Sequence, residues 1–324
     1  MAEVKGCQLV WGCNPTRQLE QGWLKALLAP SRQLLWPQNG GTRAFPALER
    51  ATPTVLVESG VLRLERNPGP ARLKRQAQQR EQRLAHLHAN GPFTLIHLSD
   101  EEGLDGDGLY PMLPSSTVIW RNFPYPRFQQ RLGLHVFPIG PRAEFLDPAL
   151  QDPAANPASR RSFPWAFMGT LWASGSRTFA ASLFLRALPQ GYFYGGARFG
   201  QGLPLLHYRR QLLQSAFALC PEGDRHLDTF RLYESLQAGC IPVLVDKRSM
   251  ALSMLGSTPP FPLFSSWPEA LNWVQGLLTH PEQLDVTQTA VRLWWQTRCG
   301  ELRRSMRQTF LQTHAGRPDL CVCF

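Results

Sequence analysis

No apolar run in the sequence approaches the ~20 residues that cross a bilayer, so a membrane-spanning helix is excluded on length. The opening MAEVKGCQLVWGC lacks the basic stretch and long apolar core of a signal peptide. The expectation is a chain that stays in the cytoplasm where it is made, membrane-peripheral at most. Its seven cysteines include no C-x-x-C pair, and an odd number supplies no closed disulfide framework. Cys220 and Cys240 lie within apolar sequence and read as small buried hydrophobes, which suits a reducing compartment. The Cys321/Cys323 tail has no His or Cys at metal-ligand spacing. Its CVCF ending places Cys where a prenylation box needs an aliphatic residue, so it reads as an ordinary apolar terminus. Repeats and low-complexity tracts are lacking. Charge is scarce at 18% against 43% hydrophobic residues, a balance that can bury sizeable cores. Acid is scarcer than base, and the resulting net charge of +10 favours anionic partners: nucleotides, nucleic acid or an acidic membrane surface. A length of 324 residues exceeds that of a usual single domain, so two are expected.

Short apolar strands alternate with helical stretches. Gln8–Trp11, Thr54–Glu58 and Phe93–Leu98 read as strands, with Thr117–Trp120 and His135–Phe137 as shorter ones. Between the second and third, Ala71–His88 carries Leu73, Ala77, Leu84 and Leu87 at helical spacing and Arg72, Lys74, Arg75, Arg80 and Arg83 on the other face. Asp147–Arg160, rich in Pro, Ala and Asn, reads as a linker. Beyond it the rhythm restarts, with strands near Phe167–Gly169, Gly191–Tyr194 and Ala216–Leu219 and closing helices at Trp267–Leu278 and Val286–Phe310. Strands separated by helices imply parallel sheets. The fold class is therefore α/β: two Rossmann-like, doubly wound domains facing a cleft at their carboxyl edges. The expected division is 1–150, a linker at 151–160, a second domain at 161–283, and a last helix at 284–324 packing back across the domains.

The densest chemistry lies in Phe217–Val245, FALCPEGDRHLDTFRLYESLQAGCIPVLV. It reads as strand, polar loop, helix and second apolar strand. A helix start with exposed amides and a positive dipole end suits an anion, most often phosphate. Arg231 and Glu234, three apart, share a helix face near that start. Arg231 offers bidentate phosphate geometry, and Glu234 is able to accept from a pair of ribose hydroxyls. A plain surface ion pair is the competing reading, outweighed by the loop, helix start and Gly-Cys-Ile-Pro strand that accompany it.

Two stretches carry a family resemblance: S-x-F-x-L-x-P-x-G at Ser215–Gly223, then D-[ST]-F-R-L-[WY]-E-[AS]-L-x-A-G-C-I-P-V at Asp228–Val243. Together they resemble the exostosin family of glycosyltransferases. A weaker F-x-G…R match falls at Phe167, Gly169 and Arg177. The resemblance implies a GT-B architecture, with acceptor bound mainly by the first domain and a nucleotide sugar, UDP favoured, by the second. It implies inverting hexosyl or pentosyl transfer to a glycan or lipid-linked glycan, as in polysaccharide biosynthesis, with no metal cofactor. Carried over, Glu234 holds the ribose, Arg231 and Thr229 contact the diphosphate, Gly223 lets the loop approach, and Arg177 is a second cation against the leaving group. Retaining GT-B enzymes often have two glutamates eight apart here; the earlier position is His226, which argues against that subclass.

Inverting transfer also needs a general base. Asp100, Glu101 and Glu102, after the Phe93–Leu98 strand, are the candidates, with His97 just inside and Glu58 next. Each has a plainer reading as a solvated loop, a helix cap or a strand end. Asp105-Gly106-Asp107 spells the D-x-D of metal-dependent transferases but sits in a Gly-rich stretch of the first half and reads as a turn. Trp11 and Trp120 are the candidate sugar-stacking platforms, whereas Trp294 and Trp295 read as packing. Two other classes stay open. One is a GT-B protein that binds nucleotide or carbohydrate without turnover. The other is nucleic-acid binding through the basic helix, where no aromatic interleaving supports a specific site; that helix also suits peripheral contact with an anionic membrane.

Overall fold

The computed structural model describes residues 6–37, 46–60, 70–146, 156–171, 175–196, 202–223 and 225–316. The chain divides into two compact units, Met1–Ile139 with Gly300–Phe324, and Gly140–Cys299. Residues 147–155 of the linker and the cysteine tail lie outside the described residues.

The first unit contains β1 (Cys7–Trp11), α1 (Gln21–Leu27), β2 (Ser31–Leu35), β3 (Thr54–Ser59), α2 (Pro70–Ala89), β4 (Phe93–Leu98), α3 (Leu104–Leu109), β5 (Ile119–Arg121), α4 (Pro126–Gln129) and β6 (Leu134–Val136). Its strands form one parallel sheet in the order β2-β1-β3-β4-β5-β6. β3 and β4 are central and almost wholly buried, which is why TVLVES and FTLIHL run nearly unbroken in apolar residues. Edge strand β2, SRQLL, turns Arg32, Gln33 and Leu35 to solvent; without a buried face it leaves no alternation for a sequence reading to register.

Three sequence expectations are corrected in this unit. In α2, Ala77 is exposed while Arg83 is buried beside Leu84 and Leu87, and Arg80 is half-buried. Both arginines turn inward to carboxylates, so the outward basic row is shorter than the sequence suggests; among its described side chains Lys74 and Arg75 are exposed. This removes much of the charge on which a nucleic-acid or membrane face would rest. The Asp105-Gly106-Asp107 stretch is helical, not a turn, and α3 starts there because Asp100 accepts from the amides of Asp105 and Gly106 at 3.0 and 2.9 Å. Trp11 and Trp120 are buried: the indole of Trp11 donates to Gln33, and Trp120 stacks on His135 with ring centroids 4.6 Å apart. Neither ring face is available to a sugar.

The second unit contains β7 (Phe163–Thr170), α5 (Ser176–Ala187), β8 (Tyr192–Gly196), α6 (Leu205–Leu213), β9 (Ser215–Leu219), α7 (Phe230–Gln237), β10 (Ile241–Val245), α8 (Ala251–Leu255), β11 (Leu263–Phe264) and α9 (Trp267–Leu278). The strands are parallel, ordered β8-β7-β9-β10-β11. In each sheet the first strand lies between the second and the third. Strand order therefore reverses there, and the carboxyl ends of β7 and β9 mark the topological switch point of the second sheet, where open α/β sheets bind ligands. The second core is aromatic. Trp165, Phe167, Phe184 and Phe217 are fully buried, and Trp295 packs on Tyr233 while Trp294 packs on Phe261. The last helix, α10 (Pro281–His314), belongs to the second unit through Cys299 and to the first from Gly300.

Candidate functional site

At the switch point of the second sheet, β9 runs into the loop that precedes α7. Thr229 is the N-cap of α7, in extended conformation with φ −132° and ψ 146°, yet its side chain makes no capping hydrogen bond. Leu232, Tyr233 and Leu236 bury the apolar side of the helix, which fixes its direction. The helix start is thus left without a side-chain cap by a residue type suited to supply one, although the Leu232 amide bonds the Thr229 carbonyl at 3.1 Å. Among the described residues, Thr229 Oγ1 and Arg231 Nη1 are buried without a hydrogen-bond partner. Buried unsatisfied polar atoms are costly, and two of them beside an open helix start mark a place for a ligand that accepts hydrogen bonds.

Arg231 is aimed by β7. Its Nε donates to the carbonyl of Met168 at 3.2 Å, and its guanidinium lies 4.7 Å from the centroid of Phe167. Gly169 completes the cradle: a Cβ there would stand 3.3 Å from Arg231 Cζ and well inside contact of Nη2. The spaced Phe167 and Gly169 of the sequence motif are therefore a seat for a cation four elements away along the chain. Arg177, the third member, is buried on α5. It donates from Nη1 to the Thr170 carbonyl at 2.8 Å and from Nε to the Glu222 carbonyl at 3.0 Å. These bonds tie the end of β7 to the loop before α7. The Gly223 amide donates to the His226 carbonyl at 2.6 Å, closing that loop on itself.

Glu234 is 1% exposed. One of its oxygens accepts from Arg142 Nε, and its negative charge acts on the buried Tyr208 phenol. Burial and the negative charge of Glu234 hold the Tyr208 phenol well above its ordinary range, so it stays a donor. For Arg142, burial opposes the charged form but the Glu234 carboxylate outweighs it, and the guanidinium is more firmly protonated than usual. Neither Arg142 nor Tyr208 is signalled by the sequence; Arg142 precedes the second sheet, in a stretch with no motif. Beside the same loop a cavity of about 30 Å³ opens among Ser176, Glu222, Arg225, Leu227, Asp246 and Lys247.

The acid candidates lie in the other unit and are largely committed. Both oxygens of Asp100 accept helix amides, and Arg121 Nη2 adds a bond at 3.2 Å. Glu58 pairs with Arg83 and Arg80. His97 bridges the Tyr110 hydroxyl at 2.9 Å and Asp105 at 3.0 Å. Burial acts to raise the Asp105 carboxyl, but the His97 hydrogen bond and the Arg80 charge outweigh it and hold the group below the carboxylate range. Asp107 is drawn away by Arg127. Glu101 and Glu102 are partly exposed. One further acid goes unnoticed in the sequence because LEQGWLKALL reads as an amphipathic helix start. This is Glu20, 2% exposed, which accepts from the Ser99 hydroxyl; burial raises its carboxyl above the usual range.

The family model of the exostosin GT47 domain matches residues 121–261, which span β7 to α8 and every residue of the α7 site named above. The chain carries an exostosin GT47 domain. Members of that family are glycosyltransferases, and this chain is a transferase of that class. The two parallel α/β sheets are consistent with a GT-B-like two-domain architecture. Comparison with curated proteins returns no significant match. Among the described residues no helix is long and apolar enough to cross a membrane.

Proposed function

We propose that this exostosin domain binds a nucleoside-diphosphate sugar at the start of α7 and transfers the sugar, with inversion and without a metal ion, to a hydroxyl of a glycan or lipid-linked glycan. The observation that carries the reading is the uncapped α7 start with Thr229 Oγ1 and Arg231 Nη1 buried and unpartnered. A diphosphate supplies acceptors for both, and its charge suits the helix dipole. As the glycosidic bond breaks, negative charge grows on the diphosphate, and donors already in place stabilise it without reorganising. Glu234 accepts from the ribose hydroxyls in this scheme, Arg177 holds the loop that frames the site, and UDP is the preferred nucleotide by family resemblance. Glu101 and Glu102 remain base candidates, since Asp100 is occupied as a helix cap.

The test is calorimetric. Arg231→Ala and Glu234→Ala are each expected to weaken nucleoside-diphosphate binding by more than ~1 kcal/mol, the scale of charge-assisted hydrogen bonds. Unchanged affinity in both variants refutes the assignment. Nucleotide binding without turnover is the second reading, favoured by the commitment of Asp100, Glu58 and His97 to internal partners. Release of nucleoside diphosphate from a UDP-, GDP- or other nucleotide-sugar panel excludes it and names the donor base.

A further inference from the structure

The ribose role of Glu234 leaves unexplained why its carboxylate is bonded by Arg142, from the segment that opens the second unit, and why that arginine is in turn seated on Tyr208 of α6. Both residues are themselves fixed. The Arg142 guanidinium lies 5.4 Å from the Tyr208 ring centroid. Tyr208 packs edge-on against Phe145 at 5.7 Å, and Arg209 on α6 donates to the Glu144 carbonyl at 2.9 Å. The Arg142–Phe145 stretch is therefore pinned to α6 at its backbone and by two rings. An arginine held in this way is poorly suited to swing aside for a ligand and well suited to hold its partner still.

We propose that Arg142 is a positioning residue of the nucleotide site: seated on the Tyr208 ring, it fixes the orientation of Glu234 so that the remaining acceptor capacity of the carboxylate meets the ribose hydroxyls. This rests on the donor-site reading above. An ionised carboxylate has about four lone-pair positions, and the Arg142 bond uses one of them. A second fixed cation, Arg231, stands one helical turn back on α7, and Glu144 is the nearby acid on the Arg142 side. A buried carboxylate without this clamp would still be present but free to turn, and hydroxyl recognition by a misaimed acceptor is weak.

The test compares each nucleoside diphosphate that binds the wild-type chain with its 2′,3′-dideoxy analogue by calorimetry, in the wild type and in Arg142→Lys, Arg142→Gln and Glu234→Gln. The wild type is expected to favour the ribonucleotide by about tenfold or more, the scale of one or two hydrogen bonds to a charged group. Arg142→Gln should bring the ratio to within about twofold while the dideoxy compound still binds, and Arg142→Lys should restore part of it. A merely structural loss would weaken both compounds alike. If Glu234→Gln loses the preference but Arg142→Gln keeps it, the positioning role is wrong and the donor site stands. If Arg142→Gln binds the ribonucleotide more tightly, Arg142 occupies the sugar's place and the positioning role is likewise wrong. A wild type that binds no nucleoside diphosphate, or a Glu234→Gln variant with its preference intact, overturns the donor-site reading itself.

Discussion

Replacing Gly169 with alanine separates the seat of Arg231 from the stability of the sheet. The residue lies in β7 with φ outside the left-handed region, so the backbone accepts alanine without strain. Removing a glycine from a strand should even add about 0.5–1 kcal/mol of stability. The added methyl, however, falls 3.3 Å from Arg231 Cζ, 3.8 Å from Nε and well inside contact of Nη2. The guanidinium cannot shift freely, because Nε is bonded to Met168 O at 3.2 Å and the plane rests over Phe167 at 4.7 Å. Displacement costs the aim of Arg231 at the ligand, a charge-assisted bond of about 1.5–3 kcal/mol. Nucleoside-diphosphate affinity should therefore fall by about 10- to 150-fold while the thermal transition does not fall. The cycle with Arg231→Ala is decisive. In that background Gly169→Ala should change affinity by less than about twofold, since the residue it disturbs is gone. Wild-type affinity in Gly169→Ala, or an equal loss with and without Arg231, refutes the reasoning.

Gly191→Ala should act on stability instead. Its Cβ would lie 2.5 Å from Trp165 Cδ2 and closer still to Cε2 and Nε1, with the indole fully buried and bonded to the Leu188 carbonyl at 2.8 Å. A rigid ring cannot yield, and overpacking of this kind costs about 1–3 kcal/mol, read as a fall in Tm of several degrees; an unchanged Tm would contradict it. Glu20→Gln should show a pH signature. The folded-state pKa of Glu20 is raised by burial, so its contribution to stability is fully present below the unfolded value, ~4.3, and is lost as pH rises through the folded value. The Tm difference, variant minus wild type, should grow as pH rises from about 4 and level once the folded value is passed; a flat difference would show that Glu20 ionises without penalty.

How far the sequence could be read differs between the two halves for physical reasons. Around α7 the special residues sit close in sequence: an N-cap threonine, a cation and an acid within one helix, next to strands long enough to be recognised. Fold class and the residues proposed for the nucleotide site were legible from that. Arg142 was out of reach because its link to Glu234 spans 92 positions of chain. The first unit was misread where charge is buried. Arg80 and Arg83 fall at helical spacing with buried Leu84 and Leu87, away from exposed Lys74, but residue type alone marks every one of these cations as outward, and only the fold shows that Arg80 and Arg83 meet Glu58 and Asp105. A helix cap was one of the plainer readings open to Asp100, but it could not be singled out, because the amides that it satisfies belong to a helix whose two glycines resemble a turn.

The division of α10 between the units sets an order of completion during synthesis. The second unit is a single uninterrupted stretch, Gly140–Cys299, whereas the first includes residues from Gly300 onward, with buried Leu302, Met306 and Phe310. The part made first is thus finished last. At ~5–20 residues per second, its strands wait roughly 9–35 s between residue 139 and the closing helical turns. During that interval the second unit can fold ahead of the sheet that precedes it. A chain halted at Cys299 would carry a whole second unit and an unclosed first one, the form in which chaperones and proteases would meet it.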